Sequence, residues 1–485
     1  MTNTLSRRAA AVGAAALLAL GCAPRLTAAD RPPNVVFILT DNHGAWTLGC
    51  YGNKDIRTPN LDRMAKEGTL FERSYSSNAV CSPTRATYLT GLMPSQHGVH
   101  SYLTAGGAQI GPKAYCTIAE FKTLPEILKD AGYVCGLSGK WHLGGNLTPQ
   151  EGFTSWVTMP HGHTATFYGA EVIEDGKVRK EPGYLTDFWT DHAVRFIEAN
   201  KAKPFFLFLA YNGPYGLGAS LNHPARNRHA AYYADKQLPS FPREKMHPWL
   251  HANKQFLNNV GAMRRLAAEV SGVDDGVGRV MAALQKHGLD ENTLVVCTGD
   301  QGLAAGQGGF WGMGDHTRPL TGYDWTMHVP LIWRHPGRIP AGQRTDVLVS
   351  NYDFLPSLLD YLGLKEKQAK QPPSPGRSYA AVLRGQPTEW DNVMFFDFEN
   401  VRSIRTDRWK LITRFPDGPD ELYDLTADPG ERTNLIDRAE HAATRSQLRK
   451  RLDAFFARYA DPKYDLSRGG KSKASRLVTP KAKKK

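Results

Sequence analysis

Four short apolar runs set the tightest limit on how this chain can fold. They are Val35 to Leu39, Tyr133 to Leu137, Phe205 to Ala210 and Leu294 to Cys297. Each is rich in β-branched or aromatic residues and nearly continuous in apolarity. Strands buried on both faces of a parallel sheet read this way, because neither face meets water. Helical patterns lie between the runs, at Leu124 to Ala131, Thr186 to Asn200 and Leu266 to His287. Strands alternating with helices predict an α/β fold: a large mixed, mostly parallel sheet sandwiched by helices.

The residues after each run carry the chemistry. Asp41 and Asn42 follow the first, and Lys140, Trp141 and His142 the second. Asn212 and Tyr215 follow the third, and Asp300 and Gln301 the fourth. Open α/β sheets place their ligand site at the carboxyl ends of the strands, so these four segments should converge. Lys140 and His142 are two apart, which on an extended chain points both to one side.

A stretch rich in Pro, Ser and Gly, Gln368 to Arg377, reads as a linker. Beyond it, Asn392 to Phe398, Val401 to Arg405, Trp409 to Arg414 and Glu421 to Leu425 read as short strands, followed by a helix from Ala439 to Tyr459. This predicts a small C-terminal antiparallel sheet with one helix packed on it. The expected boundaries are 1–29 export signal, 30–385 catalytic domain, 386–462 C-terminal subdomain and 463–485 basic disordered tail.

The formal charge of +13 belongs mostly to the two ends. Arg7, Arg8 and Arg25 are unopposed by acids before residue 30. The segment from Arg468 to Lys485 holds eight basic residues and no acid. Without these the body carries about +2, which gives it no general nucleic-acid surface. The N-terminal Arg pair precedes an apolar stretch from Ala9 to Leu20 and small residues ending at Ala29, the pattern of an export signal. Ser6-Arg7-Arg8 is similar to a twin-arginine signal, and Leu20-Gly21-Cys22 to a lipoprotein box. A periplasmic, secreted or lipid-anchored protein is expected. Outside this stretch no apolar run is long enough for a transmembrane segment.

The six cysteines form no CxxC pair and no zinc spacing. Cys135 and Cys297 lie within apolar runs and read as buried small hydrophobes. Cys81 is different. It opens Cys81-Ser82-Pro83-Thr84-Arg85, which leads through Ala86 to Leu89-Thr90-Gly91. Pro83 close behind the Cys marks a helix start, where the backbone dipole favours negative charge. The Cys-x3-Arg spacing differs from the Cys-x5-Arg loop of tyrosine phosphatases.

This segment resembles the signature of the formylglycine-dependent sulfatases, arylsulfatase-like members of the alkaline phosphatase superfamily. Further likenesses run along most of the chain: Pro33 to Leu39, Thr58-Pro59-Asn60-Leu61-Asp62-Arg63, Gly139-Lys140-Trp141-His142 and Glu421-Leu422-Tyr423-Asp424-Leu425. The resemblance implies a sulfuric ester hydrolase in which a maturation enzyme oxidises Cys81 to formylglycine. The hydrated aldehyde attacks sulfur, giving a covalent sulfo-enzyme intermediate, and its second hydroxyl allows that intermediate to eliminate sulfate. Arg85 and Lys140 would hold charge, and His142 would act as base. The expected substrate is a sulfated carbohydrate or an aryl sulfate.

Asp41, Asn42, Asp300 and Gln301, with the modified Cys81, offer oxygen ligands. Such a set selects Ca²⁺ before Mg²⁺ and argues against zinc. The family pattern usually has a second Asp where Asn42 stands, which predicts weaker cation binding here. It also usually has a His where Tyr215 stands, and a Lys ahead of Val329. His316 and Arg318 are the nearest basic replacements, His316 being the better acid, while Tyr215 and Asn212 are candidates for substrate contact. His97, His100, His161 and His163 are further candidates. Gly306 to Gly314 reads as a mobile active-site loop. A phosphonate or phosphodiester hydrolase with the same nucleophile is one alternative, and a non-catalytic sulfated-glycan binder is another.

Overall fold

A computed structural model describes residues 31–368 and 372–479. The expected export signal, Cys22 and residues 480–485 lie outside the described residues. Among the described residues no helix is long and apolar enough to cross a membrane.

The strands are β1 (Asn34–Asp41), β2 (Thr69–Tyr75), β3 (Val134–Gly139), β4 (Ser155–Val157), β5 (Tyr168–Glu174), β6 (Lys177–Tyr184), β7 (Phe205–Pro214), β8 (Thr293–Gly299), β9 (Ala304–Ala305), β10 (Trp311–Gly312), β11 (Leu331–Arg334) and β12 (Gln343–Ser350). Eight of them form one sheet in the order β12-β2-β11-β8-β1-β7-β3-β4. All neighbours pair in parallel except β11, which runs antiparallel to both β2 and β8. The sheet is therefore mixed and mostly parallel, as the apolar runs require.

Alternation along β1 builds two cores. Val36 and Ile38 face one side with Leu207, Leu209 and Val295. Val35, Phe37 and Leu39 face the other with Phe206, Phe208 and Val296. The helices are α1 (Pro59–Lys66), α2 (Cys81–Thr90), α3 (Pro94–His97), α4 (Leu124–Asp130), α5 (Leu185–Asn200), α6 (Ala230–Tyr233) and α7 (Val260–Lys286), followed by shorter ones. Helices α5 and α7 cover the first face, while α4 and the helix Phe354–Tyr361 cover the second. Helix α7 starts six residues before the expected Leu266, where the Asn259 side chain accepts the Ala262 N–H and caps it. Polar Arg264 and Arg265 hide that first turn from an apolar-periodicity reading.

The C-terminal strands β13 (Val393–Phe398), β14 (Val401–Thr406), β15 (Trp409–Arg414) and β16 (Glu421–Asp424) form an antiparallel sheet. Leu448, Leu452 and Phe456 of the helix Ala442–Tyr459 pack on its Ile404, Leu411 and Leu422. Arg405 and Lys410 reach across to Asp324 of the larger part, at 2.9 and 2.8 Å.

The expected disordered tail is corrected for residues 463–479. Tyr464 is buried against Gly98, where a Cβ would stand 2.5 Å from its ring. Lys473 Nζ donates to Glu120 and to the Thr117 carbonyl, and the N–H groups of Val478 and Thr479 donate to Glu399. Single anchors of this kind leave no periodicity in the sequence. Gly306 to Gly314 likewise forms a packed turn around β9 and β10 rather than a free loop. Gly306 and Gly309 approach the Pro242 and Lys245 carbonyls so closely that a Cβ would collide.

Candidate active site

The strand ends converge as expected. β1 delivers Asp41, and Asn42 follows with φ 56°, a left-handed conformation that Asn tolerates. β8 delivers Asp300 and Gln301. Helix α2 brings Cys81 at its first turn. Its start is fixed by Asn78, whose side chain accepts the Val80 N–H, and by Thr84, which donates to the Val80 carbonyl. Its end is set by Gly91 at φ 71°, whose N–H donates to Thr87.

The route to Lys140 and His142 differs from the expectation. β3 stops at Gly139, and His142 has φ 60°. A tight turn, rather than an extended strand, brings both side chains to the same centre. Gly162 makes room for the imidazole, since a Cβ there would stand 2.1 Å from it.

A dense charge cluster surrounds Cys81. Its Sγ lies 3.4 Å from Asp41 Oδ1. Lys140 Nζ donates to Asp41 Oδ2. Arg85 grips Asp300 Oδ2 through Nε and Nη2 at 3.1 and 2.9 Å, and its Nη1 donates to the Lys140 carbonyl at 2.6 Å. The backbone N–H groups of Asn42 and Gln301 donate to Asp300 Oδ1. All five of these side chains are buried. Burial, and then Asp41, push the Cys81 thiol well above its ordinary range, so an unmodified cysteine here stays protonated.

The donor set suits a hard cation. The ligand atoms of Asp41, Cys81 and Asp300 lie within 4.8 Å of one another. Burial first, and Asp41 second, push the Asp300 carboxyl above its usual range. Added positive charge would relieve that crowding. Gln301 Oε1 is buried without a partner, while its Nε2 faces Asn42 Oδ1 and Cys81 Sγ. Half a turn of this amide exchanges the two atoms and presents a carbonyl oxygen to the cluster.

His142 Nε2 lies 2.9 Å from the Leu103 carbonyl, so Nε2 carries the proton. Nδ1 is buried, unpartnered and free to accept. Burial, then the Lys140 charge, hold this imidazole well below its ordinary pKa and keep it neutral.

A cavity of about 300 Å³ opens above Cys81, walled by Tyr102, His142, His163, Tyr215, Asp315 and His316. His316 Nδ1 accepts the Met313 N–H at 3.2 Å, which orients the ring, and Asp315 Oδ1 lies 2.8 Å away. Two expected residues stay out of it. The Arg318 guanidinium donates to the Asp315 and Thr317 carbonyls. Asn212 is spent on Trp189 Nε1 and Thr164 Oγ1, so it positions the wall rather than meeting substrate. His97 and His100 are buried in internal hydrogen bonds. Tyr102 and Asp315 were not singled out in the sequence, although Asp315 adjoins His316. His43, also missed, is buried beside Asn42, and burial pushes it down to about 3.

Residues 33–364 match the Sulfatase family model. The chain belongs to the sulfatase family. Residues 316–458 of this sulfatase also match the C-terminal region of N-sulphoglucosamine sulphohydrolase. It is 28% identical to an N-acetylglucosamine-6-O-sulfatase of Bacteroides thetaiotaomicron, over 92% of this chain and 90% of that one. It is 32% identical to the N-acetylgalactosamine-6-sulfatase of Canis lupus familiaris, over 88% and 86%. A solved structure in complex with D-glucosamine-2-N,6-O-disulfate superposes with a TM-score of 0.70 at 27% identity, covering 88% of this chain and 98% of that chain. The enzyme is thus a sulfuric ester hydrolase, of a family that generally uses formylglycine and a metal ion.

Proposed function

We propose that this sulfatase removes sulfate from a sulfated carbohydrate, with a 6-O-sulfated hexosamine as the preferred sugar. The placement of Cys81 carries the reading. It stands at a helix start, against Asp41, within reach of the buried Lys140 and Arg85 charges, at the floor of an open cavity. The substrate class rests on the hexosamine-6-sulfatases to which the chain is similar.

Cys81 is the residue converted to formylglycine. Asp41, Asn42, Asp300 and Gln301 would hold Ca²⁺. When bound, the cation supplies positive charge beside the nucleophilic oxygen and the sulfate. Lys140 and Arg85 hold developing negative charge from fixed, buried positions, where no reorganisation is needed. His142 Nδ1 accepts a hydroxyl proton, which its neutral state allows. His316, held by the Met313 N–H at Nδ1 and beside the Asp315 carboxylate, protonates the leaving oxygen, and Tyr215 contacts the sugar. The paired arginines and apolar stretch before residue 30 support export.

Steady-state rates decide the reading. Matured enzyme is offered 6-O-sulfated N-acetylhexosamines, an aryl sulfate, a phosphonate monoester and a phosphodiester. The sulfated sugars should turn over fastest. Faster phosphonate or phosphodiester hydrolysis, or sugar binding without turnover, would replace the proposal.

A further inference from the structure

A second cavity lies directly beside the first. Its volume is about 470 Å³, within the range of about 300–1,000 Å³ typical of ligand sites. Two chain segments pass from one cavity to the other. Thr164 and Ala165 line the catalytic cavity, and Ala165 to Tyr168 line the second. Gly218 and Ala219 line the first, and Ser220 lines the second. A molecule longer than one sugar would extend along this wall.

The second cavity carries positive charge. Arg265, from the first turns of α7, keeps a buried Nε without a hydrogen-bond partner. Arg226 lays its guanidinium over the Tyr168 ring at 4.3 Å. Among the described residues neither guanidinium has a carboxylate partner within 4.0 Å. The acid in the cavity is Glu269, buried at its base, with Oε2 accepting from Tyr184. Burial pushes that carboxyl up to about 8, so it does not cancel the arginines. A protonated carboxyl can also donate to a sugar hydroxyl.

Resting on the carbohydrate reading above, we propose that this cavity is a subsite for the sugar adjoining the one that bears the scissile sulfate, and that Arg226 and Arg265 select an anionic group on that neighbour. The group is a carboxylate, as on a uronate, or a second sulfate. Both are planar or tetrahedral oxyanions that a guanidinium fork binds through two N–H groups. The scissile ester itself remains over Cys81.

Kinetics on a small substrate set test this. The set holds an aryl sulfate, a 6-O-sulfated N-acetylhexosamine, and three disaccharides of that sugar whose neighbour is neutral, a uronate or sulfated. The enzymes are wild type, Arg226→Gln, Arg265→Gln and the double variant. In wild type, kcat/KM should favour at least one acidic disaccharide over the neutral one by about tenfold or more. The uronate and sulfate arms tell which group is selected. The double variant should lose that preference while its aryl sulfate and monosaccharide rates stay within about twofold of wild type. Equal wild-type rates on neutral and acidic disaccharides would overturn the subsite, as would an equal loss on every substrate in the double variant. In either case monosaccharide turnover leaves the carbohydrate reading standing. Hydrolysis of the aryl sulfate with none of the sugars would sink both.

Discussion

The two sides of the catalytic centre are built differently. On the nucleophile side, Asp41, Cys81, Arg85, Lys140 and Asp300 are buried, and each charge meets an opposite one. On the leaving-group side, Tyr215, Asp315 and His316 line an open cavity and make few contacts. The difference matches the chemistry. Sulfate is the same in every substrate, so its cradle can be rigid. The leaving group changes with the substrate, so its wall is where specificity can be set. In this chain the departures from the family pattern at Tyr215 and His316 fall on that open wall, while the one at Asn42 falls on the buried side.

Removing charge from the buried side should cost most. Lys140→Met is expected to lower kcat by about 10²–10³-fold on sugar and aryl sulfates alike, because the lost charge served the sulfate and not the leaving group. Equal rates in variant and wild type would break the comparison. His316→Gln should cost about 10–10²-fold on a sugar sulfate and much less on an aryl sulfate, whose phenolate needs little protonation. An equal loss on both would move His316 out of the proton-donor role.

Asn212→Ala should act through packing. Trp189 Nε1 and Thr164 Oγ1 lose their partner, which lowers unfolding free energy by about 1 kcal/mol in a denaturant titration. Its rates should change only a few-fold. The smallest effect concerns pH. His142 has its pKa lowered, by burial and then by Lys140, so it is neutral from its ordinary value of 6.5 upward and for some distance below it. The pH profile of kcat/KM should therefore show no acid limb near 6.5 from this residue. In Lys140→Met one of the lowering causes is gone, and any acid limb should move upward toward 6.5. An acid limb at 6.5 in wild type that vanishes in a His142→Gln variant would contradict the neutral base.

The buried side was also the legible side. Four strands closed to water on both faces left continuous apolar runs, and the polar residue after each run fell at the sheet's carboxyl edge. Cys81, Arg85 and Lys140 stand in local motifs that survive reading one residue at a time. The cavity wall does not. Tyr102 and Asp315 come together with the named candidate His163 only through tertiary folding, and each alone looks like a surface residue. The hairpin β5–β6 was missed, although its turn, Asp175-Gly176, has both residues at positive φ and is a recognised hairpin signal. The packing of residues 463–479 rests on single anchors such as Tyr464 and Lys473, which no periodicity announces. The charge of Arg318 is legible in the sequence, but not the two backbone carbonyls that hold its Nη1.

The account stands on Cys81, and mass spectrometry of the peptide that contains it is the most direct test. The measurement is made on the same preparation whose sulfatase activity is assayed. The expected result is an aldehyde at position 81, in a fraction that tracks the specific activity, with Cys81→Ala reducing activity by about 10⁴-fold or more. An active preparation in which position 81 is a free thiol throughout would contradict it.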